Sequence, residues 1–356
     1  MGGMTRFALI TAFVAASVGL SQFTPAAHSA ETQPVAHPPK VDFSLNSREI
    51  QLRWQIYNQV KALLAARDYA GLNALEKEYR TTRARTPGGT WKLAEFYAGL
   101  FSYLPAAEPS NGCSYIGEPV IQAWIAASPD VPAPYIAAAN MLLGRAWCFR
   151  GAGYAGEVSE NAWQPFRENI SAASKILTEH KGVASLDPAF YAVMEDIYRA
   201  EGREPDEFRQ LMDEATGREP YYYALYYNSY FYFQPQWHGS IEDIDTAARY
   251  AVEKTRKQDG LGAYARFYWF ASSCGCRDWV EAVDWDMMKL AMRDIAERYP
   301  DPWNLANFAR FGCMRKDREV TRAYFEALGE DDGKAAWDDE DYWRSCRNFA
   351  FVASTQ

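Results

Sequence analysis

The chain has 356 residues, of which 48% are hydrophobic and 15% aromatic, enough to bury a large core in one long domain or two ordinary ones. Its formal net charge of -9 argues against a general affinity for nucleic acid or anionic lipid, because both require a basic surface. No dense run of lysine or arginine offsets that charge. We therefore expect no nucleic-acid partner.

The first 30 residues have the pattern of a secretory signal peptide. Arg6 precedes an apolar run from Phe7 to Leu20, and small residues then lead to a processing site near Ala27 or Ala30. The run is short for a membrane span but fits the hydrophobic region of a signal; an uncleaved anchor is the alternative. No later segment is apolar enough to cross a membrane, so we expect an exported protein, periplasmic or secreted, that does not insert into a membrane after cleavage.

Residues 31–46 are polar and rich in proline, which predicts a flexible lead-in. Apolar residues then recur at helical spacing over residues 47–350, and a tail of residues 351–356 follows. The stretch "REIQLRWQIYNQVKALLAARDYAGLNALEKEYR" predicts two helices joined near Asp68-Tyr69. Their apolar faces are Ile50, Trp54, Ile56, Tyr57, Val60 and Leu63 in the first, and Leu72, Leu75 and Tyr79 in the second.

Similar helix pairs recur along the chain, and several first helices begin with an acidic or small residue followed by proline. Proline suits the first helical turn because its missing N–H would be unpaired there anyway. These helices begin at Ala133, Asp187, Glu219 and Asp301, and "GLGAYARFYWFASSC" has the same pattern from Gly260 without the proline. Each precedes a more charged second helix, as in "PDEFRQLMDEAT", "SIEDIDTAARYAVEKTR" and "WVEAVDWDMMKLAMRDIAERY". A pair cannot bury both of its faces, so we predict an all-α fold, an α-solenoid of irregular helical hairpins.

The small and aromatic positions of "LANFARFGCMRKDREVTRAYFEALG" resemble tetratricopeptide-type repeats. The segments "TPGGTWKLAEFYAGL", "RGAGYAGEV", "EPYYYALYYNSYFYFQPQWHGS" and "YPDPWNLANFARFGC" are similar to an uncharacterised family of exported bacterial helical-repeat proteins. The resemblance covers most of residues 47–350. It implies the fold and carries no activity to transfer.

All six cysteines lie after the predicted signal, and an even number in an exported chain indicates disulfides. Cys148, Cys274, Cys313 and Cys346 fall at the predicted ends of first helices, where neighbouring helices would be close enough to bridge. We predict Cys313–Cys346 first and Cys113–Cys148 second. Cys274 and Cys276 then either form a strained short ring, remain free or exchange with Cys313, and a redox role for them is a further alternative. Only this last pair approaches the spacing of a zinc site, and we predict no metal and no cofactor.

The stretch from Glu219 to Ser240 contains ten aromatic residues. On a helix starting near Pro220, tyrosines would lie nearly all round, which predicts a helix covered on most sides. One or two of them would line a concave surface, and the turn that follows would be exposed. The predicted partner-binding residues are Tyr223, Tyr227, Tyr230, Trp237 and His238.

The chain offers few parts for catalysis. After the signal it keeps only His37, His180 and His238, and it has no nucleophile elbow. "RGAGYAG" follows a helix and so predicts a turn between helices instead of a phosphate loop. We found no facing partner for Glu95, and Asp284 and Asp286 are expected on different sides of a helix. We predict a noncatalytic protein that binds a polypeptide or organises an envelope assembly through a concave groove. The alternative is a glycan hydrolase, lyase or glycan binder built on a helical toroid.

Overall fold

The computed structural model describes residues 48–103, 112–114, 117–273, 278–329, 333–337 and 339–352. These residues are almost entirely helical, and no strand occurs among them, so the predicted all-α class is confirmed. The signal peptide, the lead-in and the end of the tail lie outside the described residues. The described helices are α1 Arg48–Ala65, α2 Tyr69–Thr82, α3 Lys92–Tyr103, α4 Glu118–Ala127, α5 Pro132–Arg150, α6 Glu160–Glu179, α7 Lys181–Ala184, α8 Ala189–Glu201, α9 Pro205–Arg218, α10 Ala224–Tyr232, α11 Ile241–Asp259, α12 Gly262–Ser273, α13 Asp278–Ala282, α14 Trp285–Arg298, α15 Pro302–Met314, α16 Arg318–Leu328 and α17 Glu340–Phe351.

The first predicted hairpin is present, with its break at the expected place. Asp68 caps α2, because its carboxylate accepts from the backbone N–H of Gly71. The predicted apolar face of α2 is buried, as are Ile56, Tyr57 and Val60 of α1. Trp54, however, is 41% exposed and does not belong to the core face.

The described residues divide into two compact units, one of residues 52–300 and one of residues 48–51 with residues 301–352. In the first unit the aromatic first helices contact one another in chain order: α3 packs on α5, α5 on α8, α8 on α10 and α10 on α12. Each of α5, α8, α10 and α12 also contacts a more polar helix that follows it. Every residue of α12 from Gly262 to Ala271 is buried. This helix is therefore covered all round by its neighbours.

Two helix boundaries differ from the prediction. The tyrosine-rich helix begins at Ala224, not near Pro220, because the chain first turns through Glu219–Tyr223 with hydrogen bonds spaced three residues apart. The predicted long helix after residue 278 is interrupted before Trp285. There Asp284 accepts from the backbone N–H of Met287 and caps a new helix, α14.

The second unit is built on α15, α16 and α17. Asp301, Asp317 and Asp339 cap these helices through their carboxylates. Asp301 also accepts from the backbone N–H of Glu49 at 3.3 Å. A disulfide joins Cys313 at the end of α15 to Cys346, with the Cα atoms 5.6 Å apart. Cys346 lies within α17 and not at its end, which corrects the predicted helix boundary.

The second predicted disulfide joins Cys113 to Cys148 in the first unit, with Cα atoms 5.8 Å apart. Both predicted pairings are therefore present, and they are consistent with an oxidising, exported environment. Cys274 and Cys276 lie outside the described residues. No helix in the described part of the chain is long and apolar enough to cross a membrane.

Candidate partner-binding site

The predicted binding tyrosines are mostly packed inside the first unit. Tyr223 and Tyr230 are buried, and only Tyr227 of the three is half-buried. The ring of Tyr227 stacks on Phe270 with centroids 4.6 Å apart, and burial raises the pKa of Tyr227 to about 12. Tyr230 packs edge-on against Phe267. The expectation that this helix is covered on most sides is confirmed.

Tyr223 belongs to a buried polar group in which its hydroxyl donates to Oδ2 of Asp259 at 2.5 Å. Arg85 approaches the same carboxylate at 3.4 Å, and the hydroxyl of Tyr299 donates to its other oxygen at 3.3 Å. Burial raises the pKa of Tyr223, with Asp259 adding to the effect and the guanidinium groups of Arg266 and Arg85 opposing it. These contacts pair the carboxylate of Asp259 with two tyrosine hydroxyl groups and a guanidinium group inside the unit.

Two arginines of this group also hold the glycine turn before α3. Arg85 donates to the carbonyl of Gly89 and Arg266 to the carbonyl of Gly88, each at 2.7 Å. Gly89 has a φ of +91°, and a Cβ built there would lie 2.5 Å from Nη2 of Arg266. Glycine is thus required by both the backbone conformation and the close approach. We call Arg85, Tyr223, Asp259, Arg266 and Tyr299 the tyrosine–aspartate cluster.

Trp237 lies in a different place from the predicted tyrosines Tyr223 and Tyr227. Its ring is 5.0 Å from the guanidinium carbon of Arg199 and meets Trp147 edge to face at 5.9 Å. Arg199 is also 5.1 Å from the centroid of Trp147. The predicted turn residue therefore joins a row of alternating tryptophan and arginine side chains.

The row continues through Arg150, the last residue of α5. Its guanidinium carbon lies 5.2 Å from the ring centroid of Trp147 and 5.4 Å from that of Trp163. We call Trp147, Arg150, Trp163, Arg199 and Trp237 the arginine–tryptophan cluster. Trp147 and Arg199 are buried, whereas Arg150, Trp163 and Trp237 are half-buried and reach the surface.

The two arginines of the cluster, Arg150 and Arg199, lie in different electrostatic environments. Arg199 donates to Oδ1 of Asp196 at 3.0 Å, so it has a carboxylate partner in the interior. Arg150 donates through Nη1 to the carbonyls of Gly151 and Gly153, and it forms no ion pair with any carboxylate in the described part of the chain. Burial and the charge of Arg199 both lower the pKa of Arg150. An anion beside Arg150 would stabilise the charged guanidinium group and so oppose both effects on its pKa.

His238, the other predicted turn residue, packs against Tyr232. Its ring stacks on Tyr232 with centroids 4.6 Å apart, and its backbone N–H donates to the carbonyl of Tyr232. Burial lowers the pKa of His238; Glu204 opposes this and Arg199 adds to it. The imidazole is thus favoured in its neutral form, as a flat group that covers a buried tyrosine.

The carboxylates considered for acid–base chemistry all have local partners. Glu95 is buried and accepts from the hydroxyl of Tyr57 at 2.9 Å, with Arg53 at 3.4 Å from its other oxygen. Asp284 caps α14 and also pairs with Arg249 at 3.1 Å. Asp286 is exposed and pairs with Lys289 at 2.7 Å. Each of these contacts supports helix ends or packing.

The sequence did not predict a pair of buried carboxyl groups, those of Asp187 and Glu76. Asp187 and Glu76 are both buried and interact electrostatically, which disfavours the ionisation of both at once. Burial, followed by the charge of Glu76, raises the pKa of Asp187 well above its ordinary range. Glu76 accepts from Nε of Arg80 at 2.5 Å, and Asp187 accepts from the hydroxyl of Tyr97 at 2.7 Å. Asp187 is therefore the protonated member, and neither group is accessible to a substrate.

The sequence did not indicate four members of the arginine–tryptophan cluster, which are Trp147, Arg150, Trp163 and Arg199. Trp147 and Arg150 stand three residues apart, a spacing that places them on one side of a helix end. That signal existed, but it did not reveal that Arg199 and Trp237 come to the same place.

No protein-family model, curated protein or solved structure matches the chain.

Proposed function

We propose that this chain is an exported, noncatalytic helical-repeat protein that binds a polypeptide partner. The proposed architecture is a tetratricopeptide-like α-solenoid, supported by the chain-order contacts from α3 through α5, α8 and α10 to α12. Its exported location is supported by the two disulfides. A concave face of such an array presents a preformed groove, which binds an extended segment at little ordering cost.

The arginine–tryptophan cluster is the observation that carries this proposal. Tryptophan, tyrosine and arginine are the residues most enriched among the dominant contacts of protein–protein interfaces. Here half-buried Trp163, Arg150 and Trp237 lie together, and Tyr154 in the adjoining loop is 75% exposed. The guanidinium groups hold the rings in place, so little side-chain freedom would be lost on binding.

The same cluster favours a polypeptide over a glycan. Sugar rings bind proteins by stacking on open aromatic faces, and a guanidinium group already lies over one face of each of Trp147, Trp163 and Trp237. The N–H groups of Arg150 lie beside these rings at the surface. Such donors suit the carbonyls and carboxylates of a peptide.

Selection of peptides from a displayed library of unstructured sequences, with the oxidised chain as the target, tests the proposal. We expect peptides to be enriched on the wild-type chain and lost on a Trp237→Ala, Trp163→Ala variant. The matched control is Trp285→Ala, a half-buried tryptophan outside the cluster, which should keep the enriched peptides. The proposal fails when no peptide is enriched, or when the cluster variant retains the same peptides. Binding to a glycan array that only the cluster variant loses would instead establish the glycan alternative.

A further inference from the structure

We propose that Arg150 selects an acidic polypeptide segment by donating a forked pair of hydrogen bonds to one carboxylate. This inference rests on the proposed polypeptide-binding function and adds the chemistry of the partner. It places the carboxylate at the end of α5, between the rings of Trp147 and Trp163.

Arg150 leaves two of its three guanidinium nitrogens free. A guanidinium carries N–H donors on three nitrogens, and only Nη1 of Arg150 is used, on the carbonyls of Gly151 and Gly153. Nη2 and Nε have no hydrogen-bond partner among the described residues, and neither is shut off from solvent. These two nitrogens form the edge of the fork that matches the two oxygens of a carboxylate.

The charge of Arg150 is not compensated by a carboxylate among the described residues. Arg199, across Trp147, is paired with Asp196, but Arg150 has no such carboxylate in the described ranges. Glu157, in the loop after α5, is turned to the backbone N–H of Tyr154, where it accepts at 2.9 Å. Arg150 is thus a cation whose neighbouring acid, Glu157, is hydrogen-bonded to the backbone instead. The nearby charge of Arg199 adds to the positive potential at this site.

The guanidinium group of Arg150 is held in position by its neighbours. Both rings beside Arg150 lie within 5.4 Å of its guanidinium carbon, and two backbone carbonyls fix Nη1. Trp147 is followed by Cys148, which a disulfide ties to Cys113. An arginine ordered in advance loses less rotamer freedom when it binds than a free one does.

The surroundings favour a peptide as the source of the carboxylate. The loop from Gly151 to Glu157 is exposed and offers backbone groups, and Tyr154 projects from it. A peptide would place a carboxylate on Arg150 and apolar side chains against Tyr154 and the edge of Trp163. An acidic oligosaccharide also supplies a carboxylate, but a guanidinium group already lies over one face of each of Trp147 and Trp163.

The experiment uses the peptides selected by display on the wild-type chain, each resynthesised with Asp and Glu replaced by Asn and Gln. Fluorescence anisotropy should show about tenfold weaker binding of the amide versions to the wild-type chain. On an Arg150→Gln variant the acidic and amide versions should bind equally. The matched control, Arg256→Gln, removes an exposed arginine from the last turn of α11 and should keep the tenfold preference.

A charge-reversal variant at Arg150 distinguishes a change in recognition from a folding defect. Arg150→Glu should prefer peptides in which Asp and Glu are replaced by Lys, a gain that a misfolded chain would not show. Equal binding of acidic and amide peptides to the wild-type chain overturns the inference but leaves the proposed function standing. Binding of no peptide at all removes the proposed function itself. An oligouronate that binds with the same dependence on Arg150 overturns the assignment of the partner as a polypeptide.

Discussion

The tyrosine–aspartate cluster and the arginine–tryptophan cluster both pack arginine against aromatic rings, but they treat charge differently. In the first, Asp259 receives Tyr223, Tyr299 and Arg85, and the polar atoms are turned inward on one another. In the second, Arg199 is paired inside while Arg150 keeps free donors at the surface. Aromatic content alone therefore does not distinguish packing from binding. The distinguishing feature is Arg150, a cation with no carboxylate partner among the described residues.

Helix α8 carries two adjacent buried acidic residues, Glu195 and Asp196, in different environments. Arg199 and Asp196 form the inner part of the arginine–tryptophan cluster. Glu195, the preceding residue, is fully buried and lies near Tyr226 and Tyr250. Adjacent residues of one helix thus belong to different environments, because successive side chains point about 100° apart.

The largest effect that separates the clusters is expected for Asp259→Ala. The change leaves Arg85 without its carboxylate and two tyrosine hydroxyl groups without their acceptor, so the free energy of unfolding should fall by about 3 kcal/mol or more. Urea unfolding measures it. Tyr223→Phe removes one hydroxyl and keeps the ring, and should cost about 1–2 kcal/mol. Nearly equal losses would mean that the aspartate does not organise this cluster.

The next effect concerns the two disulfides, which close loops of similar length, with separations of 35 and 33 residues. Replacing either pair by serine should lower stability by about 3–4 kcal/mol through the entropy of the unfolded chain. Only loss of Cys113–Cys148 should also weaken peptide binding, because Cys148 follows Trp147. Equal loss of binding in both variants would show that the disulfide does not hold the arginine–tryptophan cluster in particular.

The sequence predicted the helices well because periodicity and caps are local. Asp68 marks the break between α1 and α2, and Pro302 opens α15 as expected. The start of α10 was misplaced because Pro220 sits in a turn that tertiary packing requires. At Trp54, helical spacing alone placed an exposed residue on the core face.

The charge partners could not be predicted, because they are joined only by the fold. Arg85 and Asp259 are 174 residues apart, and Arg266 is 178 residues from the carbonyl it holds. No spacing rule links Trp147 to Trp237 either. The sequence did single out Trp237, since a tryptophan in a turn is expected near the surface. It missed Arg150, because a single arginine at a helix end is ordinary until its missing carboxylate is known.

A smaller effect, of opposite sign, is expected for Glu195→Met. Burial, and then the charge of Asp196, raises the pKa of Glu195 well above its ordinary value of 4.5. The folded chain therefore binds more protons than the unfolded one above pH 4.5, and this group makes stability fall as pH rises toward its folded pKa. Methionine removes that loss, so the variant should be more stable by about 1–2 kcal/mol at neutral pH.

Urea unfolding across pH measures the effect of Glu195→Met. The advantage of the variant should shrink as the pH is lowered toward 4.5, because the wild-type group is then protonated in both states. A constant advantage at every pH would mean that packing, and not titration, explains the gain. Asp187 has a raised pKa of the same sign, so part of the wild-type slope should survive in the variant.

The smallest effect on stability is expected for Arg150→Gln, and it separates the two arginines of one cluster. Arg150 has no carboxylate to leave behind, and it loses only two hydrogen bonds to loop carbonyls and its contacts with two rings. The free energy of unfolding should fall by no more than about 1 kcal/mol. Arg199→Gln, by contrast, leaves Asp196 buried without its cation and should cost about 3 kcal/mol. A chain that tolerates the loss of Arg150 but binds acidic peptides less well uses that arginine for recognition. Equal costs at the two positions would instead make Arg150 a packing residue like Arg199.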